Sequence, residues 1–128
     1  MNQVRWEDRF ATGNALVDSQ HKSLIEKIQH GVDASRNNIQ GEEMLSMLQD
    51  VQKCLLGHLL QEEKLMRETG ISSGPHFSQH AHISQRLENQ IATFSQGNDK
   101  EKLSAQHILF SLYDWYANHL QTEDATLF

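Results

Sequence analysis

Met44, Leu48, Val51, Leu55, His58, Glu62 and Leu65 are spaced by 4, 3, 4, 3, 4 and 3 residues. A repeat of this kind forms a heptad-like seam along one side of an α-helix, the pattern of helices packed together at shallow angles. Two members of the seam are out of character. His58 and Glu62 stand where apolar side chains are expected, and burying ionisable groups is expensive unless they are paired or bound to a metal.

Three further segments carry helical periodicity. A helix is expected from about Asp18 to Asn37, with Val17, His21, Leu24, Ile25, Ile28 and Val32 on one face. The seam itself lies in a helix from about Glu42 to Glu68. A third runs from about Pro75 to Ser95, where His76 and His80 begin a stripe continued by Ile83, Leu87, Ile91 and Phe94. A fourth runs from about Asp99 to at least His119, with Leu103, Ile108, Leu109, Leu112, Trp115, Tyr116 and His119 on its apolar face. The breaks are rich in turn residues: 36–41, Thr69 to Pro75, and Gln96 to Asp99. Pro75 suits a first helical position, and Asn98 with Glu101 reads as a capping-box variant.

The chain holds one proline and shows no repeat, low-complexity tract or long linker, so one domain spans residues 1–128. Its fold is expected to be all-α, an antiparallel up-down-up-down four-helix bundle over 18–128. Residues 1–17, with Trp6, Phe10 and Gly13, lack periodicity and form an N-terminal arm, whose aromatics need burial along the bundle.

Lys and Arg number 11 against 17 Asp and Glu, a formal net charge of −6. That balance argues against nucleic acid or an anionic membrane as partner. No apolar run approaches the roughly 18 residues of a membrane span, and the opening MNQVRWEDRF has no apolar core of a signal peptide. A single cysteine excludes an internal disulfide and fits a reducing, cytoplasmic setting. The 8 histidines are in excess and suggest metal or proton handling.

Each helix places an ionisable group on its buried stripe. The first has His21, the second His58 and Glu62, the third His76 and His80, and the fourth His119, with Asp124 just beyond. A spacing of four puts each pair on one face, about 6 Å apart at Cβ. One His-x-x-x-His pair is weak evidence, because random placement gives roughly half of one in such a chain. The weight lies in the depth of the whole set. His58 and Glu62 end the second helix, His76 and His80 begin the third, His21 begins the first and His119 ends the fourth. In an up-down-up-down bundle those ends coincide. Five imidazoles and two carboxylates exceed the needs of one ion and suggest two metals bridged by the carboxylates. A spacing of five turns Asp124 about 140° away from His119 on a regular helix, so the fourth helix is expected to end, widen or bend near Gln121.

The motifs resemble those of the bacterial hemerythrins, single-domain oxygen-binding proteins with a non-heme di-iron centre. The likeness runs from Trp6 to Asp124. It rests on Trp6-x-x-x-Phe10-x-x-Gly13-x-x-x-Val17-Asp18-x-Gln20-His21-x-x-Leu24, on His58-x-x-x-Glu62-Glu63-x-x-Met66, on His76-x-x-x-His80, and on Trp115-x-x-x-His119-x-x-x-x-Asp124. The resemblance implies two iron ions with an oxo or hydroxo bridge. His76, His80 and His119 would hold one, His21 and His58 the other, and Glu62 and Asp124 would bridge them. Oxygen would bind at an open position on the second iron, in a dry pocket lined by Leu24, Leu59, Leu112, Trp115 and Tyr116. The histidine-rich set suits reversible binding, since oxygen-activating di-iron bundles use more carboxylates.

The chain departs from the family pattern at Tyr116 and Leu59, where an aliphatic residue and Phe are usual, and at Asn14, which replaces an aliphatic residue. Reversible oxygen binding for storage, delivery or protection is therefore expected, without enzymatic activity. The alternatives are an oxygen, nitric oxide or redox sensor acting through a separate protein partner, and a di-iron oxidase or peroxidase, against which the low carboxylate count argues. His30, His82 and His107 match no motif and read as ordinary histidines. Cys54 reads as a small buried thiol. Glu63 and Glu123 adjoin proposed ligands but project about 100° away on a helix.

Overall fold

The computed structural model describes residues 4–37, 39–70, 74–95 and 104–120. A short 3-10 turn, Asp8–Phe10, precedes α1 (Ala15–Arg36), α2 (Gly41–Glu68), α3 (Gly74–Ser95) and α4 (Ala105–His119). No strand occurs among the described residues. Helix α1 packs against α2 and α4, and α3 packs against the same two, which makes a four-helix bundle with sequence neighbours side by side.

The helix starts follow local chemistry. Asn14 is extended and its side chain accepts from the Val17 backbone N–H at 3.2 Å, so α1 begins at Ala15, ahead of the expected Asp18. Asp18 instead ties down the preceding segment, its Oδ1 accepting from both the backbone N–H and the hydroxyl of Thr12, each at 2.8 Å. Gly13 between them has φ +91°, a left-handed conformation that disfavours a side chain. Helix α4 begins at Ala105 rather than Asp99, because Ser104 is extended and its side chain accepts from His107 N–H at 3.1 Å. The Asn98 and Glu101 capping pair lies outside the described residues.

The expected heptad seam of α2 holds only halfway. Met44, Leu48, Val51 and Leu55 are buried, but the stripe then continues through Leu59, Glu62 and Met66, leaving His58 and Leu65 half-buried. Met44, Leu55 and Met66 repeat at 11 residues, or 3.67 per turn. A nearly straight helix drifts relative to a strict heptad, and here the drift carries His58 to the margin of the stripe. On α4 Trp115 is likewise half-buried, while Ile108, Leu109, Leu112, Tyr113, Tyr116 and Ala117 fill the core.

The segment before α1 lies along the bundle. Val4 and Phe10 are buried in the core cluster, Phe10 meets Trp6 and Tyr113 edge-on, and the Tyr113 hydroxyl donates to the Arg5 carbonyl at 3.0 Å. A side chain on Gly31 would bring its Cβ to 3.0 Å from Leu109 Cδ1, so α1 and α4 approach closely there.

Removing the α1 cap tests this account of the local structure. Asn14→Ala should lower the unfolding free energy by about 1 kcal/mol and Asn14→Asp should leave it nearly unchanged, as read by denaturant titration of the metal-free protein.

Candidate metal centre

The four helices bring their ionisable residues to one end of the bundle. His21 lies near the start of α1, His58 and Glu62 near the end of α2, His80 near the start of α3, and His119 closes α4. His21, Glu62, His80 and His119 are each no more than 4% exposed. His58 is half-buried at the edge of the group, its ring 6.4 Å from that of His21. The side chain of His76 and all of Asp124 lie outside the described residues.

Glu62 is the centre of the group. Its Oε1 lies 2.9 Å from His21 Nε2. Its Oε2 lies 3.3 Å from His80 Nε2 and 3.8 Å from His119 Nε2. The two oxygens of one carboxylate are thus turned towards histidines of different helices, α1 on one side and α3 with α4 on the other.

The outer nitrogens of the α3 and α4 histidines are engaged elsewhere. His80 Nδ1 is 3.1 Å from Glu63 Oε1, and His119 Nδ1 is 3.3 Å from Gln79 Oε1. A carboxylate and an amide oxygen can only accept, so each Nδ1 carries the proton. In neutral imidazoles the two Nε2 atoms then present lone pairs, and they face each other at 3.3 Å. With Glu62 Oε2 they form a cluster of three acceptors whose atoms lie within 4.8 Å of one another. Acceptors converging in a buried space call for a cation between them. Two nitrogens bound at about 2.1 Å to a common ion and roughly at right angles are about 3 Å apart, close to the spacing found. His58 Nδ1 is also buried, with no hydrogen-bond partner among the described residues. The donor chemistry therefore fits a metal.

The contacts of Glu63 with His80 and of Gln79 with His119 are the features of the site that sequence reasoning missed. Glu63 does project away from Glu62, but that direction leads behind the His80 ring. The only signal was the paired acid in the motif. Of the expected pocket residues, Leu24, Leu59, Leu112 and Tyr116 are buried in the core, and Tyr116 meets the His21 ring edge-on at 5.8 Å. Trp115 stacks on the His119 ring, 4.7 Å between centroids and 12° between planes, with its outer side on a groove of α3 and α4. A second groove of about 240 Å³ between α1 and α2, lined by Leu16, Val17, Gln20 and Leu65, reaches Glu62. Leu120, the C-cap of α4, keeps a helical backbone with its N–H on the Tyr116 and Ala117 carbonyls, and the irregularity expected near Gln121 lies outside the described residues. His30, His82 and His107 are exposed, and Cys54 is half-buried with burial pushing its thiol up.

Residues 12–128 match the family model described as the hemerythrin HHE cation binding domain. The chain belongs to the hemerythrin family. It is 29% identical over 129 residues to the bacteriohemerythrin of Pseudomonas aeruginosa (strain LESB58), a match covering 98% of this chain and 79% of that protein. The bacteriohemerythrin of Stenotrophomonas maltophilia (strain R551-3) is 24% identical over 120 residues, covering 93% and 75%. Hemerythrins are iron-dependent oxygen-binding proteins, and the buried Glu62, His80 and His119 cluster is of the cation-binding kind that the family description names. No helix among the described residues is long and apolar enough to cross a membrane.

Burial, reinforced by the neighbouring His21, holds the His58 imidazole below its ordinary pKa, while the Glu62 carboxylate pulls the other way. The unfolded chain, with its histidine near 6.5, therefore takes up this proton first as pH falls. The contribution of His58 to stability is complete above about pH 6.5 and declines below it. Metal-free protein should thus lose stability on acidification from pH 7.5, and His58→Gln should make that decline shallower in denaturant titrations at several pH values.

Proposed function

We propose that the protein binds molecular oxygen reversibly at a non-heme di-iron centre, serving oxygen storage, delivery or protection as a binder rather than an enzyme. The observation that carries this reading is the position of Glu62, whose two oxygens address separate histidine groups as a carboxylate bridging two ions must. On this reading His76, His80 and His119 hold one iron, His21 and His58 the other, and Asp124 bridges alongside Glu62. That role for Asp124 requires the chain to leave the regular course of α4 before it, because a spacing of five from His119 turns a helical side chain about 140° away. When bound, the iron pair supplies the two electrons that dioxygen takes up on binding and returns on release.

The residues of the chain do the rest. Five neutral imidazoles against two carboxylates favour the ferrous state that an oxygen carrier must regain. His58 stands at the margin of the stripe and is half-buried, the least enclosed of the described histidines in the set. Leu24, Leu59 and Leu112 exclude water, which would otherwise assist irreversible oxidation. Tyr116 brings a buried phenol to the same side, edge-on to His21. Its hydroxyl is suited to donate a hydrogen bond to a small diatomic ligand, O2 or NO. A cytoplasmic, reducing setting suits the single half-buried thiol.

Spectroscopy of the iron-loaded protein tests the reading. Metal analysis should find two irons per chain. Anaerobically reduced protein should develop a visible charge-transfer band under oxygen and lose it under argon over repeated cycles. A band that never reverses, or sustained turnover of peroxide or ferrous iron, would point to catalysis instead. An oxygen-dependent partner in pull-downs would make the same chemistry a sensor. Tyr116→Phe should release oxygen about fivefold faster, the worth of one neutral hydrogen bond of about 1 kcal/mol. Equal release rates by stopped flow would remove the phenol from the account.

A further inference from the structure

We infer that Glu63 is a positioning residue for His80, and that it makes the α3–α4 side of the centre the tighter metal position and the first to fill. The inference rests on the two-metal reading above. Consecutive residues of α2 flank the His80 ring, Glu63 accepting from its Nδ1 and Glu62 facing the Nε2 lone pair across the cluster. Glu62 Oε2 lies 3.3 Å from Nε2, and Glu63 Oε1 lies 3.1 Å from Nδ1. The His80 side chain is 2% exposed and that of Glu63 17%, so the outer contact is largely sheltered from water. Such a contact holds the ring in one orientation and one tautomer, with the Nε2 lone pair directed into the cluster. An anionic acceptor behind an imidazole also strengthens it as a donor to a metal.

The other α4-side ligand is held in the same manner by different means. His119 has the Gln79 amide oxygen behind its Nδ1 at 3.3 Å and the Trp115 ring stacked on its face. Ligands locked before a metal arrives lose little conformational freedom on binding it. His58, on the opposite side, is only half-buried, and its Nδ1 has no hydrogen-bond partner among the described residues. That ring must be ordered when its metal binds. Unequal preorganisation predicts unequal affinity, and hence an order of loading.

The test is a titration of metal-free full-length protein with Co²⁺, followed by its visible absorption and by calorimetry. The wild type should take up two equivalents in resolved steps, the first at least tenfold tighter. Glu63→Ala should weaken the first step by about 10- to 100-fold and leave the second within about twofold of the wild type. Glu63→Gln, which keeps an acceptor oxygen without the charge, should recover most of the loss. The metal-free variants should remain folded, with the Glu63→Ala midpoint only about 5 °C lower for the lost hydrogen bond. Equal effects of Glu63→Ala on both steps, no effect on either, or a Gln variant as weak as the Ala variant would overturn the assignment. Saturation at one equivalent would instead defeat the two-metal reading, and the Ala and Gln variants would still decide the part played by Glu63 on that single step.

Discussion

A carboxylate sits at the centre of this bundle, almost wholly removed from water. Taking an ionised acid into such a place costs several kcal/mol unless partners surround it. Here His21 from α1 meets one carboxylate oxygen directly, while His80 from α3 and His119 from α4 turn lone pairs towards the other, so that a cation between them completes the set. The rest of the architecture follows from that requirement. The helix ends must coincide for the imidazoles to reach Glu62, and the core of Ile, Leu, Val and aromatic side chains must hold the four rods in register beneath it. Glu62 is in this sense the reason the bundle has a polar end.

The surroundings of the carboxylate are unequal. Towards α3 and α4 the imidazoles are braced from behind by Glu63 and Gln79, and one is stacked by Trp115. Towards α1 and α2 lie the edge-on phenol of Tyr116 and the half-buried His58. One side is braced from behind, and on the other His58 stands at the margin of the core.

The drift of α2 links this asymmetry to helix geometry. A strict heptad along α2 would have pushed His58 to the centre of the stripe together with Glu62. The repeat of Met44, Leu55 and Met66 at eleven residues follows the natural pitch of a straight helix. Glu62 stays central as a result, while His58 moves aside. The same turn geometry sends Glu63 behind His80 rather than out to solvent, so neighbouring acids on one helix serve one ring.

Much of the fold and part of the site could be read directly from residue order. The apolar stripes of α1, α3 and α4, the break around Gly70 and Pro75, and the coincidence of His21, Glu62, His80 and His119 all follow from spacing, because a helix converts a step of three or four into a shared face. Cap positions were harder: Asn14 and Ser104 lack the acid three residues on that marks a capping box, and their roles emerge only from backbone conformation. The site's outer contacts were out of reach. Whether Glu63 meets His80, whether Gln79 meets His119, and how far His58 turns from the centre depend on the rotation of one helix against another. Periodicity along a single helix fixes which residues share its face, but the angle at which that face meets its neighbours is set only when the whole core packs.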